Sequence, residues 1–248
     1  MGAIFYREIK AYFGSLLAWS LIAAFLFIIG MFMLLGVGAY ADMSASAMQG
    51  GMPCNINTYF LPPMVQSIAV MMMFFLPLLT MRSFSEDKRS GTLDLLFTYP
   101  ISEWQIVWGK FLAALVVVCI MLAFSSLTFF YLGFNCTIEW PVLLCGYLAL
   151  VLVACAMVSM GIFTSSVTNS QLTASAFNYG LLLCLWFLAI PDKSAPYTEF
   201  FGQLSIFGHI ENLAKGVLNS QDVIYYVALT AFFLFLTVRF LESRKWKG

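Results

Sequence analysis

LLTMRSFSEDKRSGTLDLLFTYPISEWQIVWGK, residues 78–110, is a charged island between two apolar helices. Arg82, Glu86, Asp87, Lys88, Arg89, Asp94 and Glu103 all fall inside it. The rest of the chain avoids charge. Of 248 residues, 62% are hydrophobic and 10% are charged, whereas a soluble domain averages about 45–50% apolar and about 25% charged. A soluble globule with so little charge could not cover its own surface, so composition alone places the chain in a membrane. The island is then a surface where a membrane protein meets water, and it reads as the place where a soluble partner pushes.

Outward from the island, six stretches approach the roughly 20 apolar residues that a spanning helix needs. They are 16–39, 63–81, 106–132, 141–165, 172–190 and 223–241. Helices are expected because lipid offers no water to satisfy backbone groups. A barrel would alternate polar and apolar residues, and these runs do not. The expected fold is an all-α integral membrane protein, a single domain over 1–248 with six transmembrane helices. The first stretch is too long for a secretory h-region and reads as a retained span.

Basic residues set the orientation. With the N-terminus in the cytoplasm, Arg7, Lys10, Arg82, Lys88, Arg89, Lys110, Arg239, Arg244, Lys245 and Lys247 lie inside, and only Lys193 and Lys215 lie outside. Both termini are then cytoplasmic. In residues 1–13, Ile4, Phe5, Ile9, Tyr12 and Phe13 share one helical arc opposite Arg7 and Lys10, the pattern of a helix lying in the interface. Residues 40–62 read as a polar, mostly irregular outer loop. Pro77 lies deep in the second span and predicts a kink. Residues 191–222 form a long outer connection whose Phe200, Phe201, Leu204, Ile206, Phe207, Ile210 and Leu213 predict short helices dipping into the outer interface. Gly216 is the expected stop there. Ser220 is the expected cap of the last span, with Asp222 in its first turn.

The island at 82–105 has its own punctuation. Arg82 and Glu86 are four apart and pair on one face. Gly91 breaks that helix. Thr92 caps the next, with Asp94 in its first turn where a negative charge suits the dipole. Leu93, Leu95, Leu96 and Phe97 make this short piece apolar, and Pro100 stops it. Ser102 and Gln105 have capping-box spacing for the third span, as do Thr168 and Gln171 at the inner turn 165–171. A positive-inside anchor needs basic residues but neither the break, the caps nor the apolar patch.

Several chemistries are missing. No G-x-x-x-x-G-K-[ST] loop occurs, and Gly109-Lys110 is followed by Phe111, so the chain is expected to be no ATPase. His209 is the single histidine. A lone histidine near an acid such as Glu211 reads as a local hydrogen-bonded pair. No cluster has metal-ligand spacing, and nothing suggests nucleic acid as a partner. The spans carry almost no ionisable residue at depth, which argues against proton- or sodium-coupled carriage. Ser125, Ser126, Thr128, Ser159, Ser175 and Asn178 enter the spans and are expected to bond between helices. Cys119, Cys155 and Cys184 lie within spans and Cys145 near an outer end. Cys54 and Cys136 fall in outer loops on the oxidising face and are candidates for a disulfide.

Arg82-x-Phe84-x-Glu86-Asp87-x-Arg89-x-Gly91-Thr92-Leu93-Asp94-Leu95-Leu96-x-Thr98-x-Pro100-Ile101-Ser102, followed by Gly109-Lys110, resembles the inner-loop signature of ABC-2 type transporter permeases. The likeness extends to Arg7-Glu8-x-Lys10-x-Tyr12-Phe13, to Ser165-Ser166-x-Thr168-Asn169-x-Gln171, to His209-x-Glu211 with Gly216, and to Thr237-Val238-Arg239-x-Leu241-Glu242-Ser243-Arg244. Within the group it looks most like the gliding-motility-associated permease subunits. Tyr99 stands where leucine is common and Asp94 where glutamate is common.

The resemblance implies an interfacial N-terminal helix, six spans and an inner coupling helix, in a multi-pass protein of a bacterial inner membrane. It implies a separate ATPase subunit that holds ATP and Mg and binds the coupling helix, with no cofactor on this chain. It also implies two permease subunits per transporter, the second being the same chain or a membrane subunit with a large extracytoplasmic domain. On this reading Leu93, Leu95, Leu96 and Phe97 insert into the ATPase, while Arg82, Glu86 and Arg89 orient it. The expected activity is ATP-driven movement of an amphiphilic or bulky substrate. The alternative is a transducer of force or conformation to an outer partner without solute flux.

Overall fold

The computed structural model describes residues 2–49, 55–91, 102–134, 138–188 and 204–245, and among them every regular element is a helix. In chain order these are α1 (Gly2–Phe13), α2 (Leu16–Gln49), α3 (Ile56–Tyr59), α4 (Leu61–Thr80), α5 (Arg82–Arg89), α6 (Glu103–Gly133), α7 (Trp140–Val167), α8 (Gln171–Phe187), α9 (Ile206–Ala214) and α10 (Ser220–Lys245). Five segments are long and apolar enough to cross a membrane: Leu16–Ala47, Ile56–Arg89, Glu103–Gly133, Trp140–Val167 and Ser220–Ser243. The stretch expected as the fifth of six spans contains α8, which has 17 residues. At 1.5 Å per residue α8 reaches about 25 Å, short of a hydrocarbon core of about 30 Å.

The central post is α7, which packs against α4, α5, α6, α8, α9 and α10. Small residues make that possible: Ala149, Ala154, Ala156, Ser159 and Gly161 let neighbouring backbones approach closely, as in other membrane bundles. A methyl group on Gly146 would stand 2.9 Å from Val65 of α4, and one on Gly161 would overlap Thr80. These two contacts, in the same order along both helices, make α4 and α7 parallel. The tilted contact of Phe163 with Phe233, at 5.7 Å between ring centroids, sets the height of α10 against α7.

That height is low. Gly216, in the left-handed region at φ 84°, packs on Val142 near the start of α7. Yet Tyr226 of α10 lines one cavity with Leu152 and Cys155, half-way along α7. Its hydroxyl donates to the Ile206 carbonyl at 2.5 Å. Helix α9 therefore begins near the middle of the bundle and climbs back to the start of α7, and the chain descends again before α10. Ile206, Ile210 and Leu213 are buried. Of the apolar residues that predicted short helices here, Ile206, Phe207, Ile210 and Leu213 seat α9 among the long helices.

Local departures from expectation have simple causes. Helix α2 continues to Gln49 because Ala41–Gln49 is rich in alanine and methionine and holds no glycine or proline. With α3 and the start of α4, most of the stretch read as an irregular loop is thus helical. Ser102 is the N-cap of α6 as expected, but its side chain makes no capping bond. Thr168 ends α7 by donating to the Thr164 carbonyl at 2.9 Å, and Ser170 is the N-cap of α8. At α10 the Asn219 side chain accepts from Gln221 N–H at 3.3 Å, a capping role the sequence reading gave to Ser220. The polar residues inside spans mostly bond their own helix: Ser126, Thr128, Ser159 and Ser175 each donate to a carbonyl three residues back. Ser125 does that too and also meets Tyr147 of α7 at 3.1 Å. Asn178 is buried with neither side-chain polar atom partnered among the described residues.

Candidate functional site

The charged island begins as α5, and α5 is nearly the continuation of α4. The two are separated only by Met81, whose backbone is still α-helical and whose N–H reaches the Pro77 carbonyl at 2.9 Å. What interrupts the ladder is a side chain. The Ser165 hydroxyl of α7 accepts from Phe84 N–H at 3.0 Å and Ser85 N–H at 3.1 Å, and donates to the Met81 carbonyl at 2.9 Å. Insertion of a polar group into the i→i−4 bonds is a recognised cause of a helix bend. Ser85 Oγ also donates to the Met81 carbonyl.

The far end of α5 is held by the same helix. Lys88 Nζ donates to the carbonyls of Ser166 and, at 2.8 Å, Thr168. Those are the last carbonyls of α7, where a cation also suits the helix dipole. Lys88 lies over the Phe240 ring of α10 at 5.8 Å.

The opposite face of α5 closes on α1 and α6 through a buried ionic cluster. Lys110 of α6 is 1% exposed, and its ammonium sits 2.9 Å from Glu8 Oε1 and 2.6 Å from Asp87 Oδ2. It also donates to the Ser83 carbonyl at 2.5 Å, and the Phe84 ring centre lies 5.0 Å away. Arg7 joins the same two acids, at 2.8 Å to Glu8 and 3.5 Å to Asp87. Two cations and two anions cancel, which is the condition for holding charges out of water. Tyr12 meets Ser83 Oγ at 3.0 Å. Burial pushes the Tyr12 phenol well above its ordinary range, with the Ser83 hydrogen bond pulling the other way. The phenol therefore stays protonated at any physiological pH.

Of the residues singled out for coupling, Arg82, Glu86, Arg89 and Gly91 are described. Arg82 and Glu86 form the expected fork, at 2.8 and 3.1 Å, and Arg82 also donates to Ser15 Oγ at 2.6 Å. Arg82 is thus turned back onto the start of α2. Glu86 and Arg89 are exposed. Gly91 sits at φ 69°, the left-handed conformation that ends the helix and that other residues rarely adopt. Thr92, Leu93, Asp94, Leu95, Leu96, Phe97 and Pro100, and both Cys54 and Cys136, lie outside the described residues.

Sequence reading passed over Glu8, Asp87, Lys110 and Ser165 as parts of the site. The signal for Glu8 was present: Ile4, Glu8 and Tyr12 share one face of α1, so an acid stands in the middle of the buried stripe and requires a partner. His209 does not pair with Glu211 as expected. Glu211 pairs with Lys215 at 2.7 Å, and His209 turns to Asp222 at 2.5 Å. No group of three His, Cys, Asp or Glu side chains that could hold a metal occurs among the described residues.

The arrangement is mechanical. One face of α5 is fixed to α7, another to α1 and α6, and its axis leads into α4. A push on its exposed end would be delivered to all of them. A multi-pass helical membrane protein with such an element has the build of a transporter's membrane component. Residues 66–244 match the family model described as ABC-2 family transporter protein. ABC transporter G family member 20 of Dictyostelium discoideum is 28% identical over 164 residues, covering 63% of this chain and 22% of the relative's length. The chain belongs to the ABC-2 family of transporter proteins, and it is a membrane-spanning component of an ABC transporter.

Proposed function

We propose that the chain is the permease subunit of an ABC transporter in a bacterial inner membrane, driven by a separate ATPase that binds ATP and Mg. The ATPase grips the stretch that begins with Glu86 and Arg89 and continues through Thr92–Pro100, with Leu93, Leu95, Leu96 and Phe97 in its groove. The observation that carries this reading is the fixing of α5 on two faces to α1, α6 and α7 while its end stays exposed. A mere anchor has no need of such ties, whereas a lever does. With α5 in the cytoplasm, both termini are cytoplasmic and α1 lies along the inner interface. The stretch 172–190 completes a sixth span. Two such subunits form the pathway, the second being another copy or an auxiliary membrane subunit. The scarcity of charge along the spans favours an amphiphilic or bulky substrate. The overall likeness of the motifs is to the gliding-motility-associated subfamily.

Leu95→Asp with Leu96→Asp tests the contact. The double variant is expected to insert in the membrane normally and to lose co-purification with the ATPase. Normal ATPase binding would place the grip elsewhere. ATP-dependent flux in proteoliposomes carrying both subunits supports transport. ATPase activity that responds to an outer partner with no flux supports transduction.

A further inference from the structure

Half-way along the bundle, far from the ionic cluster at α5, stands a second buried acid. Asp222, in the first turn of α10, has its side chain 4% exposed, and Oδ1 lies 2.5 Å from Nδ1 of His209 on α9. Its other oxygen, Oδ2, is buried with no hydrogen-bond partner among the described residues. The neighbouring phenols are committed elsewhere, Tyr225 to the Leu204 carbonyl at 2.6 Å and Tyr226 to the Ile206 carbonyl at 2.5 Å.

Titratable groups around the pair are few. On α9 itself, Glu211 and Lys215 pair with each other at the surface. Helix α4 has no titratable side chain. Helix α7 offers Cys145, Tyr147 and Cys155, and α8 offers Tyr179 and Cys184. On α10, Tyr225 and Tyr226 are followed by no charged group until Arg239. Helix α6, which packs on α10, carries Glu103, Cys119 and Tyr131 and one cation, Lys110, which is held in the α5 cluster, so among the described residues no packed helix brings a cation to Asp222. An ionised carboxylate buried alone is costly, by several kcal/mol or more, and the imidazole at 2.5 Å is the group placed to neutralise it. The surroundings suit an imidazolium: the Tyr225 ring stacks on His209 at 4.3 Å and 23°, a π face against the ring.

We propose that His209 and Asp222 form a proton-binding site that fastens α9 to α10 when it is filled. In the filled state the imidazolium donates from Nδ1 to Asp222 Oδ1, and the pair is neutral. Loss of one proton to water leaves a neutral imidazole and a carboxylate, one uncompensated negative charge in the middle of the bundle. The cheapest relief is to let water in by loosening α9. Acid therefore fills the site and closes α9 onto the bundle, while alkali empties it and frees α9. The side from which the proton comes depends on the orientation proposed above, but the chemistry of the pair does not.

His209 is the single histidine of the chain, so its ring can be read without assignment. The full-length protein, carrying ¹⁵N-histidine in lipid nanodiscs open to buffer on both sides, is titrated while the ring nitrogens are followed by NMR. Hydrogen exchange of residues 204–216 is measured across the same pH range. The wild type is expected to show one titration, with exchange of α9 slowing as the ring charges. Asp222→Asn removes the carboxylate that the imidazolium answers and should make α9 exchange independent of pH. His209→Gln should also remove the pH dependence of exchange. A ring that never charges in the folded wild type overturns the proposal, and that result needs no variant. So does a pH dependence of α9 exchange that survives Asp222→Asn, or α9 exchange that ignores the charge on His209. None of these outcomes bears on ATPase binding, so the permease reading stands or falls separately.

Discussion

Lys110→Met removes the ammonium from the ionic cluster while keeping a side chain of similar length. The ammonium is 1% exposed and answers two carboxylates, at 2.9 and 2.6 Å, and a carbonyl at 2.5 Å. Breaking a buried ion pair by removing one partner costs about 3–5 kcal/mol, because the other charge stays behind. Here Arg7 remains 2.8 Å from Glu8 and 3.5 Å from Asp87, and those acids keep 11% and 16% of their side-chain surface. The loss should therefore fall near the lower end, about 3 kcal/mol. At about 2–4 °C per kcal/mol for a chain of this size, the midpoint of thermal unfolding should drop by about 6–12 °C. Glu8→Gln in the Lys110→Met background should cost less than the sum of the single changes, by about 1 kcal/mol or more. Tryptophan fluorescence or calorimetry on the purified protein reads both quantities. A drop below about 2 °C, or strict additivity with Glu8→Gln, would mean that Lys110 does not stand between these acids.

Three further changes probe the same end of the bundle and the loops above it. In Ser165→Ala the buried N–H groups of Phe84 and Ser85 lose their acceptor, which costs about 1–3 kcal/mol. Hydrogen exchange at those two amides should rise, and unchanged exchange would refute the insertion of the hydroxyl. Gly161→Ala puts a methyl 2.0 Å from Thr80 Oγ1 and 2.7 Å from its Cβ, an overlap that costs about 1–3 kcal/mol. Adding Thr80→Ala should recover only part, because the Cβ overlap remains; full recovery or no initial loss would show that α4 has room to spare. Cys54 and Cys136 should resist alkylation until reductant is added, as read by intact mass, and two labelled thiols without reductant would end the idea of a bond between them.

Much of this was written in the sequence. Composition gave the membrane, apolar run length gave five of the crossing helices, and Arg82, Glu86 and Gly91 gave the first helix of the island with its side-chain fork and its end. These are local signals, set by period, charge and glycine. The contacts that hold α5 were not legible, because each joins residues far apart in the chain. Ser165 looked like part of an uncharged turn, and nothing within residues 165–171 says that its hydroxyl will enter another helix. Glu8 carried a sign, an acid amid the buried stripe of α1, but its partner lies 102 positions away. His209 illustrates the opposite hazard. The nearest acid in sequence, Glu211, proved to be Lys215's partner, because i,i+4 pairing on a helix surface takes precedence over i,i+2, which cannot face.

The two polar centres stand on one set of helices. At one end α5 packs on α4, α7 and α8 and touches α10 through Lys88 and Phe240. At mid-height α9 packs on the same four, α4, α7, α8 and α10. Close-packed interiors do not deform continuously, so a shift of α5 against α7 must move α4 or α10 as bodies or break their seams. The seam between α4 and α7 is tightest at Thr80 and Gly161, one residue before the Met81 joint, which leaves α4 little freedom to slide there. Helix α10 also packs closely on α7, but it meets both centres: Lys88 of α5 lies over its Phe240 ring at 5.8 Å, and its first turn carries Asp222. If the ends communicate, α10 is the element that carries the displacement. A Phe240→Ala change should then alter how the His209 ring titrates while leaving the Lys110 cluster intact. An unchanged titration in that variant would show that the two centres answer to different events.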